Sequence, residues 1–342
     1  MADVPCDESF GETNNVEGSG PAGIAGPGDD AKGLPPPSLP TNPLLLRESR
    51  EPRLERITIQ QGDSIPEGVR LFEEFTHPGA PCLDAYCSLF LCEGGYVERV
   101  RPDYPITVQQ HDPGQISQLF DNLLRCANQL SMCETAIYLA ADMVHRVLSR
   151  IQVRQYAPYL LASALFVSQK LEPSKRSIAH ATRFVRKLFG RDNEKTHREA
   201  LFHNELALLQ CLDYRMEAIT PYSFLTVFCS VADFGSRETK LVHYLTQIAI
   251  ITWDSYRFYP SMITAAAVLL VRETFNYPCL WSAALVYHTG YLREDLLEAR
   301  QFLLESWWKM YSAGERQPPP AVYAKFVSSE FDSVAEIKPP SQ

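Results

Sequence analysis

Ala164-Leu165-Phe166-Val167-Ser168-Gln169-Lys170-Leu171-Glu172 is the stretch on which the fold turns. From Pro158 onward, small and apolar residues occupy nearly every position up to Val167. A helix apolar on all sides is a core helix, wrapped by others. Lys170 and Glu172 then arrive within three positions. Taken alone, a solvated helix end accounts for them, with Lys170 favoured at the negative C-terminal pole.

A second copy of the pattern lies further along. Pro260 leads Ser261-Met262-Ile263-Thr264-Ala265-Ala266-Ala267-Val268-Leu269-Leu270-Val271, and Arg272 closes it. In each copy Pro leads and a basic residue follows twelve positions later, so Ala164 and Ala266 hold equivalent places 102 residues apart. Proline suits the first helical turn, where its missing N–H costs nothing. Two central Ala-rich helices at this separation point to a duplicated helical domain. Chance likeness between two buried helices is the plainer alternative.

Working outward, the 342 residues are 45% hydrophobic, enough for a sizeable core. Charge is unevenly spread. Residues 1–114 carry a net −11, residues 115–314 a net +3 and residues 315–342 a net −1. A near-neutral globular part argues against sequence-independent nucleic-acid binding, which needs a basic face. Nine cysteines are scattered, and Cys82, Cys87 and Cys92 step by five, which matches no zinc spacing. A reducing compartment is expected. The acidic N-terminus lacks the basic-then-apolar layout of a signal peptide, and no apolar run has the length of a membrane span.

Residues 1–68 are rich in Gly, Pro, Ser and acids and are read as a disordered tail. Pro35-Pro36-Pro37-Ser38-Leu39-Pro40 reads as a linker, with a polyproline ligand as the sharper option. Residues 69–114 are read as an N-terminal helix and connector. Five helical patterns follow, near 115–130, 133–148, the central run from Pro158, 178–189 and 195–211. The fifth carries Leu201, Leu206, Leu208 and Leu209. Thr220-Pro221 then gives an N-cap with Pro after it. Five more patterns run near 222–231, 237–254, 261–272, 281–288 and 293–310. The expected domains are 115–219 and 220–314, with a tail of 315–342. In that tail Tyr323-Ala324-Lys325-Phe326-Val327 looks helical and the last residues look mobile.

No constellation requires an enzyme. There is no Gly-rich phosphate loop, no His-Glu-x-x-His and no Gly-x-Ser-x-Gly elbow. Eight histidines fall mostly inside helical patterns, as packed or surface residues do. Glu294-Asp295 fits capping better than acid–base chemistry. The segment 170–198 holds nine Lys and Arg against three acids. A solvated face is the default for it, and an acidic or phosphorylated partner is the sharper reading.

Several motifs carry a resemblance. Ile137-Tyr138-Leu139-Ala140-Ala141-Asp142-Met143-Val144-His145-Arg146-Val147-Leu148-Ser149, the stretch quoted first, and Pro221-Tyr222-Ser223-Phe224-Leu225 follow one another in order. Tyr256-Arg257-Phe258-Tyr259-Pro260-Ser261-Met262-Ile263, Thr289-Gly290-Tyr291-Leu292-Arg293-Glu294-Asp295-Leu296 and Lys325-Phe326-Val327-Ser328-Ser329-Glu330-Phe331 come after them. Over residues 70 to 335 the chain resembles the cyclins, most closely the A/B-type (G2/mitotic-specific) cyclins. The resemblance implies an all-α fold of two tandem five-helix cyclin boxes. It implies a non-enzymatic, activating subunit of a cyclin-dependent kinase, forming a heterodimer in nucleus or cytoplasm. No cofactor, metal, small-molecule ligand, membrane or direct nucleic-acid contact is implied.

By that resemblance, Lys170 and Glu205 bracket the kinase's mobile helix, with Val167, Leu171, Leu209 and Tyr214 as apolar contacts. The family's first box usually starts Met-Arg-Ala-Ile-Leu-x-x-Trp. Here Ile116 replaces the Arg, and His145 replaces the Asp that pairs with it. Losing both charges together spares the fold an unpaired buried charge, so a changed core is expected rather than a broken one. Gln115, Gln118 and Asn122, around Leu119, make the family's substrate-docking patch polar. No Arg-x-x-Leu or Lys-Glu-Asn degradation signal occurs in residues 1–69. Two other readings stay open: a cyclin-fold transcription adaptor (a transcriptional cyclin or a relative of transcription factor IIB), and a non-activating kinase scaffold.

Overall fold

The structure, a computed structural model, describes Glu93 and residues 100–110, 113–153, 157–171 and 181–341. The expected tail of residues 1–68 and the helix beginning near Val69 lie outside the described residues. A short π-helical turn, Pro105–Gln109, leads into α1, Pro113–Leu130. Then come α2 (Glu134–Arg150), α3 (Ala157–Leu171), α4 (Ala181–Phe189) and α5 (Glu194–Cys211). The second set is α6 (Pro221–Val231), α7 (Ser236–Ile250), α8 (Pro260–Thr274), α9 (Ala283–Thr289) and α10 (Leu297–Ala313), followed by the short α11 (Ala321–Phe326). No strand occurs among the described residues.

The two runs that suggested a repeat are the two central helices. On α3 every residue from Leu160 to Ser168 is buried, and on α8 every residue from Ser261 to Arg272. Ala164 and Ala266 are both fully inaccessible. α2, α5 and α1 pack around α3, while α6, α7 and α10 pack around α8. Small residues at the centre let these neighbours approach closely, which is why composition marks the helices so clearly. The proline entries hold too. Pro260 is the first residue of α8, and Pro221 opens α6 behind Thr220, whose N–H donates to Ser223 Oγ at 3.3 Å.

Some boundaries differ from expectation. The helix expected over 237–254 stops at Ile250. Thr252 is extended there, at φ −107° and ψ 111°, with its hydroxyl donating to the Ile248 carbonyl. A separate 3-10 turn, Trp253–Arg257, follows and carries Tyr256 to the box junction, 4.5 Å between ring centroids from His145. The helix expected from 293 begins as a 3-10 turn, Glu294–Leu296, where Asp295 accepts from the Leu292 N–H.

The last residues are packed, contrary to the expectation that they are mobile. Phe326, Val334 and Ala335 are fully buried, and Trp308 Nε1 donates to the Pro340 carbonyl at 3.1 Å. The tail is part of the core because α11 fits against α7 and α1, with Phe326 5.2 Å from Tyr244.

The two boxes meet along α2. Tyr138 shares a hydrogen bond with Thr246 (2.7 Å). Glu134, at the start of α2, accepts from His243 (3.0 Å), Gln247 (3.0 Å) and Lys325 (2.6 Å). Those partners come from α7 and α11, so one carboxylate joins the first box, the second box and the tail. Burial alone would raise its pKa, but His243 and Lys325 outweigh burial and bring it down to about 2. His145 is fully buried, and Ile116 is buried near the start of α1. The His145 ring lies flat against Phe120 at 3.9 Å. Its Nε2 faces the Ile250 carbonyl at 2.8 Å and its Nδ1 the Tyr104 hydroxyl at 3.0 Å. A carbonyl only accepts, so Nε2 carries the proton and Tyr104 donates to Nδ1. Burial drives the imidazole down to about 3, the carbonyl contact opposing only in part. The paired charges of the family are replaced here by a neutral, fully bonded ring.

Candidate functional site

The C-terminal end of α3 and one side of α5 form a single surface. The helices are tied below it by Ser163, whose hydroxyl donates to the Leu201 carbonyl at 3.3 Å. Phe166 meets Phe202 edge-on at 6.4 Å. At the rim the Lys170 ammonium pairs with Glu205 and lies 4.2 Å above the Phe166 ring centroid. An ammonium over an aromatic face and against a carboxylate is held in place, though its side chain stays 41% exposed. Sequence separation between the two charges is 35 residues, and the fold closes it.

Apolar side chains surround this ion pair in solvent. Leu171 is 47% exposed, Phe202 46%, Leu206 49% and Tyr214 61%. They are half of the eight large hydrophobic side chains that stand exposed among the described residues. Scattered exposed leucines need no explanation, but four exposed apolar side chains on two neighbouring elements beside a fixed charge pair make this the candidate interaction surface. Val167 is buried and Leu209 half-buried. Phe202 and Leu206 were not singled out from sequence. Their signal was the spacing 202, 205/206, 209, which puts them on one face with Glu205. Leu206 is half exposed because Leu201 and Leu208 are the residues α5 buries.

Tyr214 is presented by an unusual turn. Asp213 and Tyr214 both have left-handed backbone, at φ 51° and 58°. Outside glycine such a conformation costs about 1–2 kcal/mol. Tyr214 N–H closes onto the Leu209 carbonyl at 2.8 Å. Arg150, from α2, donates to the Cys211 carbonyl and lies 3.3 Å from Asp213 Oδ2. The turn is thus braced from α2 and leaves the Tyr214 ring in solvent.

The second repeat lacks such a surface. Arg272 is the counterpart of Lys170, yet it is buried. Its Nε and Nη2 donate to the Cys279 carbonyl, its Nη1 to the Ala232 carbonyl, and Tyr277 lies beneath it at 4.5 Å. The same repeat position is structural in one box and exposed in the other.

On α1, Gln115, Gln118 and Asn122 are exposed, and Leu119 is half-buried against the core. This face is polar. Its neighbour along the helix is taken by the tail. Asp121 accepts from the Ala321 N–H at 2.5 Å, and Arg125, paired with Asp121, donates to the Pro319 carbonyl at 2.6 Å. No helix among the described residues is long and apolar enough to cross a membrane.

Comparison with known proteins fits this geometry. Residues 95–217 match the cyclin N-terminal domain, and residues 219–340 match the cyclin C-terminal domain. A putative cyclin-B3-1 of Arabidopsis thaliana is 23% identical over 222 residues, covering 65% of this chain and 54% of the relative. Cyclin-B1-2 of the same plant is 26% identical, covering 65% and 48%. The G2/mitotic-specific cyclin-B of Dictyostelium discoideum is 23% identical over 283 residues, covering 80% and 61%. The chain thus spans about half the length of the curated relatives it matches. The X-ray structure of a viral cyclin from herpesvirus saimiri superposes with a TM-score of 0.54 at 13% identity, over 65% of this chain and 95% of that one. With both cyclin domains matched in tandem on an all-helical, two-repeat fold, the chain belongs to the cyclin family.

Proposed function

We propose that the chain is the regulatory, activating subunit of a cyclin-dependent protein kinase, of the mitotic type. The observation that carries this reading is the exposed apolar surface of Leu171, Phe202, Leu206 and Tyr214 around the Lys170–Glu205 pair. A kinase helix laid on it meets the rings of Phe202 and Tyr214, aromatic residue types enriched at interfaces, with leucines and a charge of each sign beside them. Docking there pushes the kinase helix inward and completes the Lys–Glu pair that phosphoryl transfer requires. The cyclin does no chemistry; it binds one kinase state better than the other and shifts the population. The mitotic assignment is supported by the names of the relatives, which are B-type and G2/mitotic-specific cyclins. We place the division between boxes at 219/220, in front of the capped start of α6.

Purified protein from its own cells, assayed for histone-kinase activity, tests the proposal when wild type is set beside the charge-swapped Lys170→Glu/Glu205→Lys. The swap keeps an ion pair within the cyclin but inverts what the partner meets. Activity that accompanies wild type and is lost with the swap is the expected result, with the melting temperature unchanged. A bound kinase without activity would leave a scaffold, and transcription components in place of a kinase would overturn the assignment.

A further inference from the structure

α4 is nine residues long and sharply two-sided. Phe184 and Val185 are buried, with Phe184 5.2 Å from Phe166 of α3. Arg183, Arg186 and Lys187 are exposed on the other side. Gly190, at φ +85°, turns the chain directly after the helix and brings Arg191 beside them. Thr182, Arg183, Arg186, Lys187 and Arg191 line one open groove of about 530 Å³, and among the described residues no carboxylate lines it.

The four cations divide into two kinds. Arg186 is held by Glu194 at 2.5 Å. Lys187 donates to the Gln129 carbonyl at 3.1 Å, and the Gln129 amide returns a bond to the Lys187 carbonyl at 2.6 Å. Both are positioned before any ligand arrives. Arg183 and Arg191 have no hydrogen-bond or ion-pair partner among the described residues. Two unoccupied guanidinium forks, with two more cations fixed beside them, suit an anion with several oxygens and more than one charge. A phosphate group has three oxygens and accepts several such forks at once; a carboxylate satisfies one.

We propose that this groove on α4 docks a phosphorylated segment of a partner protein, with Arg183 and Arg191 gripping the phosphate and Thr182 at its edge. The groove holds more than a lone phosphate fills, so a peptide carrying the group suits it better than the free ion. An extended polyanion suits it poorly, because residues 115–314 as a whole carry only +3. The inference does not depend on the kinase reading.

Fluorescence polarisation on the full chain tests the inference. The probes are a labelled peptide pool with a central phosphoserine in random flanks, the same pool with serine, and a short polyuridine RNA. The proteins are wild type, Arg183→Gln/Arg191→Gln, and the control Arg237→Gln/Arg316→Gln, which removes as much charge from exposed positions elsewhere. The expected result is phosphorylated peptide bound at least about tenfold tighter than the serine pool. That preference is lost in the α4 variant and kept in the control, with all three proteins melting alike. Equal binding of the two pools, an equal loss in the control, or RNA bound more tightly than phosphopeptide would each overturn the proposal.

Discussion

His145 shows what a single buried ring asks of the chain. It is neutral and bonded at both nitrogens in the fold, and its pKa is driven down to about 3 by burial. The unfolded chain takes up a proton near 6.5. Between those values the unfolded state binds more protons, so stability is full above pH 6.5 and falls as pH drops toward 3. At pH 5 this amounts to about 2 kcal/mol lost. Asp142 works in the opposite sense. Burial pushes it up to about 6 against the pull of Arg146 and the hydrogen bond from Tyr256, so its contribution declines as pH rises through 6. Below pH 6 it offsets His145 in part. His243, also lowered by burial, adds to the acid loss. His145→Gln retains an N–H for the Ile250 carbonyl and does not titrate. It should cost about 1–3 kcal/mol at pH 7 through lost stacking, and lose about 2 kcal/mol less than wild type between pH 7 and pH 5. Urea titrations at the two pH values measure both. Parallel losses in the two proteins would mean that the ring is not the titrating group. At Tyr214 the residue-scale argument runs the other way. Tyr214→Gly relieves left-handed strain and should leave stability equal or raise it by about 0.5–1 kcal/mol. The same change removes an exposed anchor and should weaken kinase binding about tenfold or more.

At the scale of the helix, α5 separates two kinds of leucine. Leu208 is 2% exposed and Leu206 49%. Leu208→Ala should cost about 2–5 kcal/mol and leave kinase affinity per folded molecule unchanged. Leu206→Ala should leave the melting temperature within a degree or two, about 0.5 kcal/mol or less, while weakening the kinase complex. Thermal melts and a kinase pull-down on both variants check the pair. The contrast also explains what was legible in the sequence. α3 and α8 were plain because they are buried all round, and no choice of face has to be made. α5 was half legible, because an exposed apolar face and a core face are written in the same kinds of residue. Leu201 and Leu208 turn in while Phe202 and Leu206 turn out, and periodicity alone does not tell the two sides apart. Lys170 and Glu205 could be singled out from the family resemblance, but neither their ion pair with each other nor the ring of Phe166 beneath the ammonium could. The loss of two charges at Ile116 and His145 pointed to a rebuilt core. The replacement partners, Tyr104 and the Ile250 carbonyl, lie 41 and 105 residues from His145 and leave no local trace. The last residues looked mobile for a related reason, since partners such as Trp308, whose indole donates to the Pro340 carbonyl, lie far back in the chain.

Across the whole molecule, Glu134 is where the parts are joined. Its carboxylate meets Lys325 from the tail and His243 and Gln247 from the second box. The Lys325 side chain is only 10% exposed and that of Glu134 21%. Burial pulls Lys325 below its ordinary range, yet the adjacent carboxylate keeps the pair charged. A buried pair of this kind is worth little against a well-packed apolar pair, but breaking it from one side strands a charge. Glu134→Gln keeps the shape and removes the charge, leaving the ammonium under Phe326 and Phe331 without a counter-ion. The expected cost is about 3 kcal/mol or more. Lys325→Met leaves the carboxylate with the His243 and Gln247 donors and should cost less. With both changes together, most of the stability should return, so that the two losses are non-additive by at least about 1 kcal/mol. Denaturant midpoints of the four proteins close the cycle. Because Glu134 titrates only near 2, the coupling should hold from pH 7 down to about pH 5 and fade below the unfolded-state value near 4.3, as the carboxylate's advantage over the unfolded chain is lost. Additive losses at pH 7 would instead mean that the tail is held by Phe326, Val334 and Ala335 alone, and that the junction of the boxes does not depend on this charge.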